Sequence, residues 1–247
     1  MRLIRVLAIA SLLLSPLQLI ADPIRIAVAS NFTHAMQDIK QAYEQQSEHK
    51  VELIFGSTGK IYAQIINGAP FDAFFAADTA RPARLEQEGW IQPESRFSYA
   101  VGRIVLWSPD PDLKINDGQV LKTAAFHHLA MANPRLAPYG KAAQQVLQAN
   151  GVWESLQNKI VRGENIGQTF QFVISGNAEL GFVALSQLKS RAGRHNANQW
   201  LVPEALYDPI EQQAVQLSEK PAVTSFMAFV KGDVARQIIH RYGYDTP

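Results

Sequence analysis

Short apolar runs alternate with helix-period segments along almost the whole chain, and this alternation restricts the fold more than any other feature. Ile24–Ala29, Val51–Phe55, Phe71–Ala76, Gly102–Trp107, His128–Ala132, Lys159–Arg162, Leu180–Leu185 and Gln212–Leu217 read as strands. Helices fall between and after them: Asn31–Gln46, Lys60–Asn67, Thr79–Glu88, Tyr139–Ala149, Ile166–Ser175, Pro221–Val230 and Asp233–Tyr242. In the first of these, Phe32, Ala35, Met36, Ile39, Ala42 and Tyr43 recur at helical spacing on one face. Asn67-Gly68, Asn150-Gly151 and Gly176-Asn177 are stop signals. Strands that alternate with helices form parallel sheets with right-handed crossovers. The pattern resets once, near Tyr99, with no low-complexity linker, so two α/β lobes joined by crossing strands fit better than one long sheet. The expected division is residues 22–98 plus 212–247 in lobe 1 and 99–211 in lobe 2, since chain ends usually lie close together. No fixed-period repeat is visible. The polar, basic stretch Lys189–Asn198 reads as a surface loop.

In open α/β sheets ligands bind where strands end and the next helices begin. Four such turns carry hydroxyls, amides or glycines: Ala29-Ser30-Asn31-Phe32, Gly56-Ser57-Thr58-Gly59, Asn133-Pro134 through Tyr139-Gly140, and Gly163-Glu164-Asn165-Ile166-Gly167. Each helix start offers unpaired backbone N–H groups and a partial positive charge. Any one turn reads equally well as a plain capped helix. Their recurrence in both lobes points instead to one cleft for a small, compact anion. A cage made only of donors favours a fully ionised oxyanion, because a protonated one must set its own hydrogen against another donor.

Composition removes rival chemistries. The 247 residues carry 23 Lys and Arg against 22 Asp and Glu, so no bulk positive charge exists for nucleic-acid binding. There is no cysteine, hence no disulfide, thiolate nucleophile or cysteine-held metal. The six histidines lack metal-ligand spacing, and no pair of carboxylates suggests acid–base work. Gly59-Lys60 has Ile54 and Ile61 where a phosphate-binding loop needs glycine and a hydroxyl residue. Ser57-Thr58-Gly59-Lys60 matches the S-x-x-K of penicillin-recognising enzymes, but its partner motifs come in the wrong order. Arg135, in the third turn, reads as a solvated loop residue. The expectation is a binding protein with no catalysis and no cofactor.

Met1–Ala21 reads as an export signal: Arg2 and Arg5, an apolar core over Val6–Leu14 too short to cross a bilayer, the helix breaker Pro16, and small Ala21 at the cut. Its removal leaves 21 basic against 22 acidic residues, so a net charge of +1 becomes −1.

At these turns the sequence resembles the periplasmic molybdate-binding proteins of ABC transporters, the ModA family, over essentially the whole exported chain. The resemblance is carried by Ala29-Ser30-Asn31-Phe32, Gly56-Ser57-Thr58-Gly59, Asn67-Gly68-Ala69-Pro70, Phe75-Ala76-Ala77-Asp78, Ala137-Pro138-Tyr139-Gly140, Asn165-Ile166-Gly167-Gln168, Leu180-Gly181-Phe182-Val183 and Arg241-Tyr242-Gly243-Tyr244. It implies the two-lobed type II periplasmic binding fold, each lobe a mostly parallel sheet flanked by helices and joined by crossing hinge strands. It also implies a molybdate or tungstate ligand held by the Ser30 and Thr58 hydroxyls, with Asn31 and Ser57 as adjacent alternatives. Backbone donors would come from Ser30, Thr58, Tyr139 and Ile166. The implied partners are the small oxyanion and a membrane permease, with a monomeric receptor in the periplasm and no nucleic acid. Many members carry a tyrosine just after the Leu-Gly-Φ-Val strand; here that place is Ala184, and Asn31 or the Tyr139 phenol would have to replace its hydroxyl. Receptors for sulfate, phosphate or a small organic acid, and an adhesion or signalling protein on the same fold, are the other readings.

Overall fold

A computed structural model describes residues 22–123, 125–190 and 198–246. The expected export signal and residues 191–197 of the basic stretch lie outside them. Two five-stranded sheets form, one per lobe. The first holds β1 (Ile24–Ala29), β2 (Val51–Gly56), β3 (Ala73–Phe75), β4 (Phe97–Gly102) and, from the far end of the chain, β10 (Ile210–Gln216). The second holds β5 (Ile104–Trp107), β6 (Leu129–Ala132), β7 (Ile160–Gly163), β8 (Leu180–Ala184) and β9 (Gln199–Leu201). Their orders, β2-β1-β3-β10-β4 and β7-β6-β8-β5-β9, are the same pattern twice. In each sheet three neighbouring strands pair in parallel, and a fourth, β10 or β5, runs against both of its neighbours. The sheets are therefore mixed, with the reversed strand in each being one that has just crossed from the other lobe.

The first crossing sits slightly later than expected and the return slightly earlier. Phe97–Gly102 pairs with β10 in the first sheet, so residues 99–102 belong to that sheet, and the chain changes sheets at Arg103. A single strand expected over Gly102–Trp107 is in fact the second half of two consecutive strands in different sheets. On return, Ile210 and Glu211 already pair with β4 before the expected start at Gln212.

Side-chain alternation places helices on both faces of each sheet. In β1, Ile24, Ile26 and Val28 face a core shared with α1 (Thr33–Glu44), α8 (Pro221–Lys231) and α9 (Asp233–Arg241). Ala27 faces the other way, toward Ile61 and Ile65 of α2 (Thr58–Ile66) and Leu85 of α3 (Ala80–Gln87). The two closing helices thus return to the first lobe. In the second lobe Ile104 and Leu106 face α4 (Pro138–Ala149), while Val105 and Trp107 face Phe170 and Val173 of α6 (Ile166–Ile174) and Leu188 of α7 (Leu185–Lys189). A short α5 (Trp153–Leu156) precedes β7. Phe32, Phe75, Phe182 and Phe226 are fully buried, and burial of each such side chain contributes roughly 1.5–3 kcal/mol.

Glu179, just before β8, fastens the approach to β6. Its carboxylate accepts the backbone N–H groups of His127 at 3.1 Å and His128 at 2.8 Å. Burial pushes its pKa up, but these donors and the His127 ring outweigh that and hold it at about 2, against an ordinary 4.5. A carboxylate depressed in the folded state contributes stability above its unfolded pKa and loses it as pH falls through the folded value. Glu179→Gln is therefore expected to be less stable than wild type at neutral pH, with the gap closing between pH 4.5 and about 2; urea denaturation across that window measures it.

Candidate anion-binding site

The carboxyl ends of the parallel strands of both sheets face one another, and all four turns read from the sequence meet there. A small cleft, with a free volume of only about 10 Å³, is lined by Ala29, Ser30 and Asn31 after β1, Gly56, Ser57 and Thr58 after β2, Ala137, Pro138 and Tyr139 before α4, and Asn165 and Ile166 before α6. Ala77, after β3, completes the lining and was not among the expected site residues. The space lies below the ~300–1,000 Å³ of pockets for drug-sized ligands, so it suits a compact ion.

Each turn is built to present donors. Ser57 is the N-cap of α2 in extended conformation, its Oγ accepting the Lys60 N–H at 3.4 Å, and Thr58 is the first helical residue. Thr58 is buried, and its Oγ1 accepts the Ala77 N–H at 3.1 Å. Ser30 opens a short 3₁₀ turn ahead of α1, and its Oγ accepts the Gly167 N–H from the other lobe at 3.2 Å. A hydroxyl has one proton to donate besides its acceptor lone pairs. Each of these three oxygens is used as an acceptor, and no described residue accepts its proton. Pro138 at the first position of α4 has no N–H, which makes Tyr139 the first donor of that helix. Asn165 caps α6 by accepting the Gln168 N–H at 2.9 Å, leaving Ile166 as the first helical N–H. Within the described residues the backbone N–H groups of Ser30, Thr58, Tyr139 and Ile166 have no protein acceptor.

Close backbone approach depends on Gly140. A Cβ there would collide with the Ala132 carbonyl oxygen and lie 2.7 Å from its carbon, so only glycine lets the start of α4 sit against the end of β6.

Among the described residues, no charged side chain lines the cleft. Lys60, from α2, reaches across the lobes to Glu164 at 2.6 Å, and Arg81 is paired with Asp78 while donating to the Arg135 carbonyl at 3.2 Å. Arg135 itself is not part of the lining. The Gly59 N–H donates to the Leu136 carbonyl at 2.8 Å, another link between lobes.

Asn31 and Tyr139 line the cleft, but their side chains are spent elsewhere. The Asn31 carboxamide donates to Gln212 Oε1 at 2.8 Å and to the Tyr244 hydroxyl at 3.0 Å. The Tyr139 hydroxyl lies against Gly102 at the strand crossing and accepts from Gln212 Nε2 at 3.5 Å. Neither therefore stands in for a tyrosine at position 184. Burial raises the pKa of the Tyr99, Tyr139 and Tyr244 phenols, so all three stay protonated at neutral pH. Tyr99, Ser186, Gln212 and Tyr244 were not singled out from the sequence as site residues; the one available signal was the terminal Arg-Tyr-Gly-Tyr.

The fold and cleft together define a two-lobed receptor of small solutes. The sequence matches the family of bacterial extracellular solute-binding proteins over residues 24–245, and the chain belongs to that family. Molybdate-binding protein ModA of Azotobacter vinelandii is 48% identical over 227 residues, covering 91% of this chain and 90% of the relative. The ModA protein of Rhodobacter capsulatus is 43% identical, covering 92% and 89%. The solved periplasmic molybdate-binding protein of Azotobacter vinelandii superposes with a TM-score of 0.87 at 40% identity, covering 91% of this chain and 99% of that one. These relatives are named as binding proteins. The sulfate-binding protein SubI of Mycobacterium tuberculosis, at 13% identity and a TM-score of 0.71, shares the fold alone.

Thr58→Val keeps the shape and removes the acceptor of the buried Ala77 N–H. An unsatisfied buried donor costs about 1–3 kcal/mol, and urea denaturation of the ligand-free protein is expected to show that loss.

Proposed function

We propose that this chain is the periplasmic receptor of an ABC transporter for molybdate or tungstate. The observation that carries the reading is a small cleft rich in donors: the Ser30, Ser57 and Thr58 hydroxyls and at least four backbone N–H groups converge there, and among the described residues no charged side chain lines it. The relatives named for molybdate, at 48% and 43% identity, support the choice of anion.

In this reading the Ser30, Ser57 and Thr58 hydroxyls and the N–H groups of Ser30, Asn31, Thr58, Tyr139 and Ile166 hold the anion. Hydrogen bonds to an ionised acceptor are about twice as strong as neutral ones, so no countercharge is needed. A hydrogen phosphate ion would press its proton against a donor, at a cost of about 1–3 kcal/mol, which selects fully ionised oxyanions. Residues 1–21 direct export and are removed, and the receptor works as a monomer without cofactor or nucleic acid. It hands the anion to a membrane permease as the lobes part.

Thermal denaturation tests the reading directly. At hundredfold excess over Kd a ligand adds about 2.7 kcal/mol, or roughly 5–10 °C in Tm for a chain of this size. Molybdate and tungstate are expected to give this rise and phosphate none; a rise with sulfate alone would move the receptor to sulfate. Ser30→Ala and Thr58→Ala are each expected to weaken binding roughly tenfold to a hundredfold, from the loss of a charge-assisted hydrogen bond. Calorimetry across salt concentrations should show only weak dependence, because local donors rather than a net field hold the ion.

A further inference from the structure

The first strand-to-helix turn is gripped from behind by groups that no ligand reaches. The Asn31 carboxamide donates to the Tyr244 hydroxyl at 3.0 Å, and the Ser186 hydroxyl donates to the Asn31 backbone carbonyl at 2.9 Å. The one proton of the Tyr244 hydroxyl has two acceptors in reach, the Asn31 carbonyl at 2.7 Å within its own lobe and Ser186 Oγ at 2.9 Å across the lobes. Given to Ser186, it closes the three bonds into a ring in which every hydroxyl gives one proton and receives one. Chains of hydrogen bonds that run head to tail polarise and strengthen one another. All three residues are buried, at 2–5% exposure.

The ring's members come from three places. Asn31 lies in the turn after β1, directly beside Ser30. Tyr244 lies on the C-terminal segment, which Gly243 turns with φ of 77° and which Asp245 fastens to Val101 of β4. Its aromatic ring packs edge-on to Phe32 at 5.1 Å. Ser186 is the one member from the second lobe. It sits on α7, whose next residue, Gln187, donates to the Ile166 carbonyl at 3.0 Å and accepts the Ala184 N–H at 2.9 Å. A single short helix thus braces the Asn31 turn of one lobe and the Ile166 helix start of its own. Separation of the lobes at α7 breaks two of the ring's three bonds, while the Asn31–Tyr244 bond and the Asn31–Gln212 bond stay within the first lobe.

We propose that Ser186 and Tyr244 are positioning residues for anion capture: with Asn31 they form an interlobe ring that completes itself only on closure and holds the Ser30–Asn31 turn in its binding geometry. This rests on the receptor reading above and adds to it a device that slows ligand release. Two of the ring's bonds belong to the closed state, so their loss falls on dissociation and not on association.

Stopped-flow and calorimetric binding of molybdate and tungstate to Ser186→Ala, Tyr244→Phe and the double variant test this. Each single change is expected to raise the dissociation rate roughly threefold to tenfold, the effect of one hydrogen bond. Association should stay within twofold and the ligand-free Tm within about 2 °C, since Asn31 keeps Gln212 and one carbonyl partner. The double variant should lose less than the product of the singles, the mark of a shared network. Unchanged dissociation in both singles would overturn the proposal, as would strict multiplication of the two effects or an affinity loss matched by a fall in ligand-free Tm. If the wild-type protein binds neither anion, the receptor reading fails separately, and the ring is then judged by amide exchange of the ligand-free protein over residues 30–35. Faster exchange in Tyr244→Phe, whose contacts to Asn31 lie within the first lobe, with no change in Ser186→Ala supports it there; faster exchange in Ser186→Ala, or none in Tyr244→Phe, overturns it.

Discussion

Unpaired backbone N–H groups at helix starts are the constraint on which the rest of this structure depends. An α-helix leaves its first donors without intrahelical partners, and a fold that buries several such ends in one place must supply acceptors or a ligand. Here the ends after β1 and β2 in one lobe and before α4 and α6 in the other are aimed at a common space. The protein contributes mostly donors to that space. Even the hydroxyls of Ser30, Ser57 and Thr58 are turned so that their lone pairs serve protein N–H groups. What is left over is a set of protons that a ligand rich in acceptors can satisfy.

The repeated strand order explains how two lobes achieve this. In each sheet the three parallel strands end on the same side, and the turns after β1, β2, β3, β6 and β7 line the cleft, while the turn after β8 does not. The reversed strands, β10 and β5, carry the chain between lobes and keep the two sets of ends opposed. Gln212, on β10, joins the side chains of Asn31, Tyr99 and Tyr139, so the crossing strand is wired to the first turn and to α4. The exposed Lys60–Glu164 pair at the rim adds little by comparison, since surface pairs are worth about 0–1 kcal/mol.

Much of this was legible from residue order. The Phe32, Ala35, Met36, Ile39 spacing set α1, and Asn150-Gly151 and Gly176 ended α4 and α6. Hydroxyls at Ser30, Ser57 and Thr58 pointed to turns that the structure brings into one cleft, because N-cap chemistry is local. The strand crossing at Arg103 was less legible. Phe97–Trp107 is continuous β pattern, and nothing local distinguishes a strand that stays in its sheet from one that leaves it. Ala77 was missed as cleft lining because its contribution is a backbone N–H, which every residue but proline possesses.

The sequence by itself determined the class of fold, the turns that carry donors, and the lack of cysteine and of metal-ligand spacing among the histidines, since periodicity, capping and composition are properties of short stretches. Only the tertiary structure decided which donors share a space and which side chains are already spoken for. Asn31 reads from the sequence as a ligand, yet its carboxamide belongs to Gln212 and Tyr244, 181 and 213 residues away. Whether a polar side chain faces a ligand or the protein depends on what the rest of the chain brings beside it, and no local pattern records that.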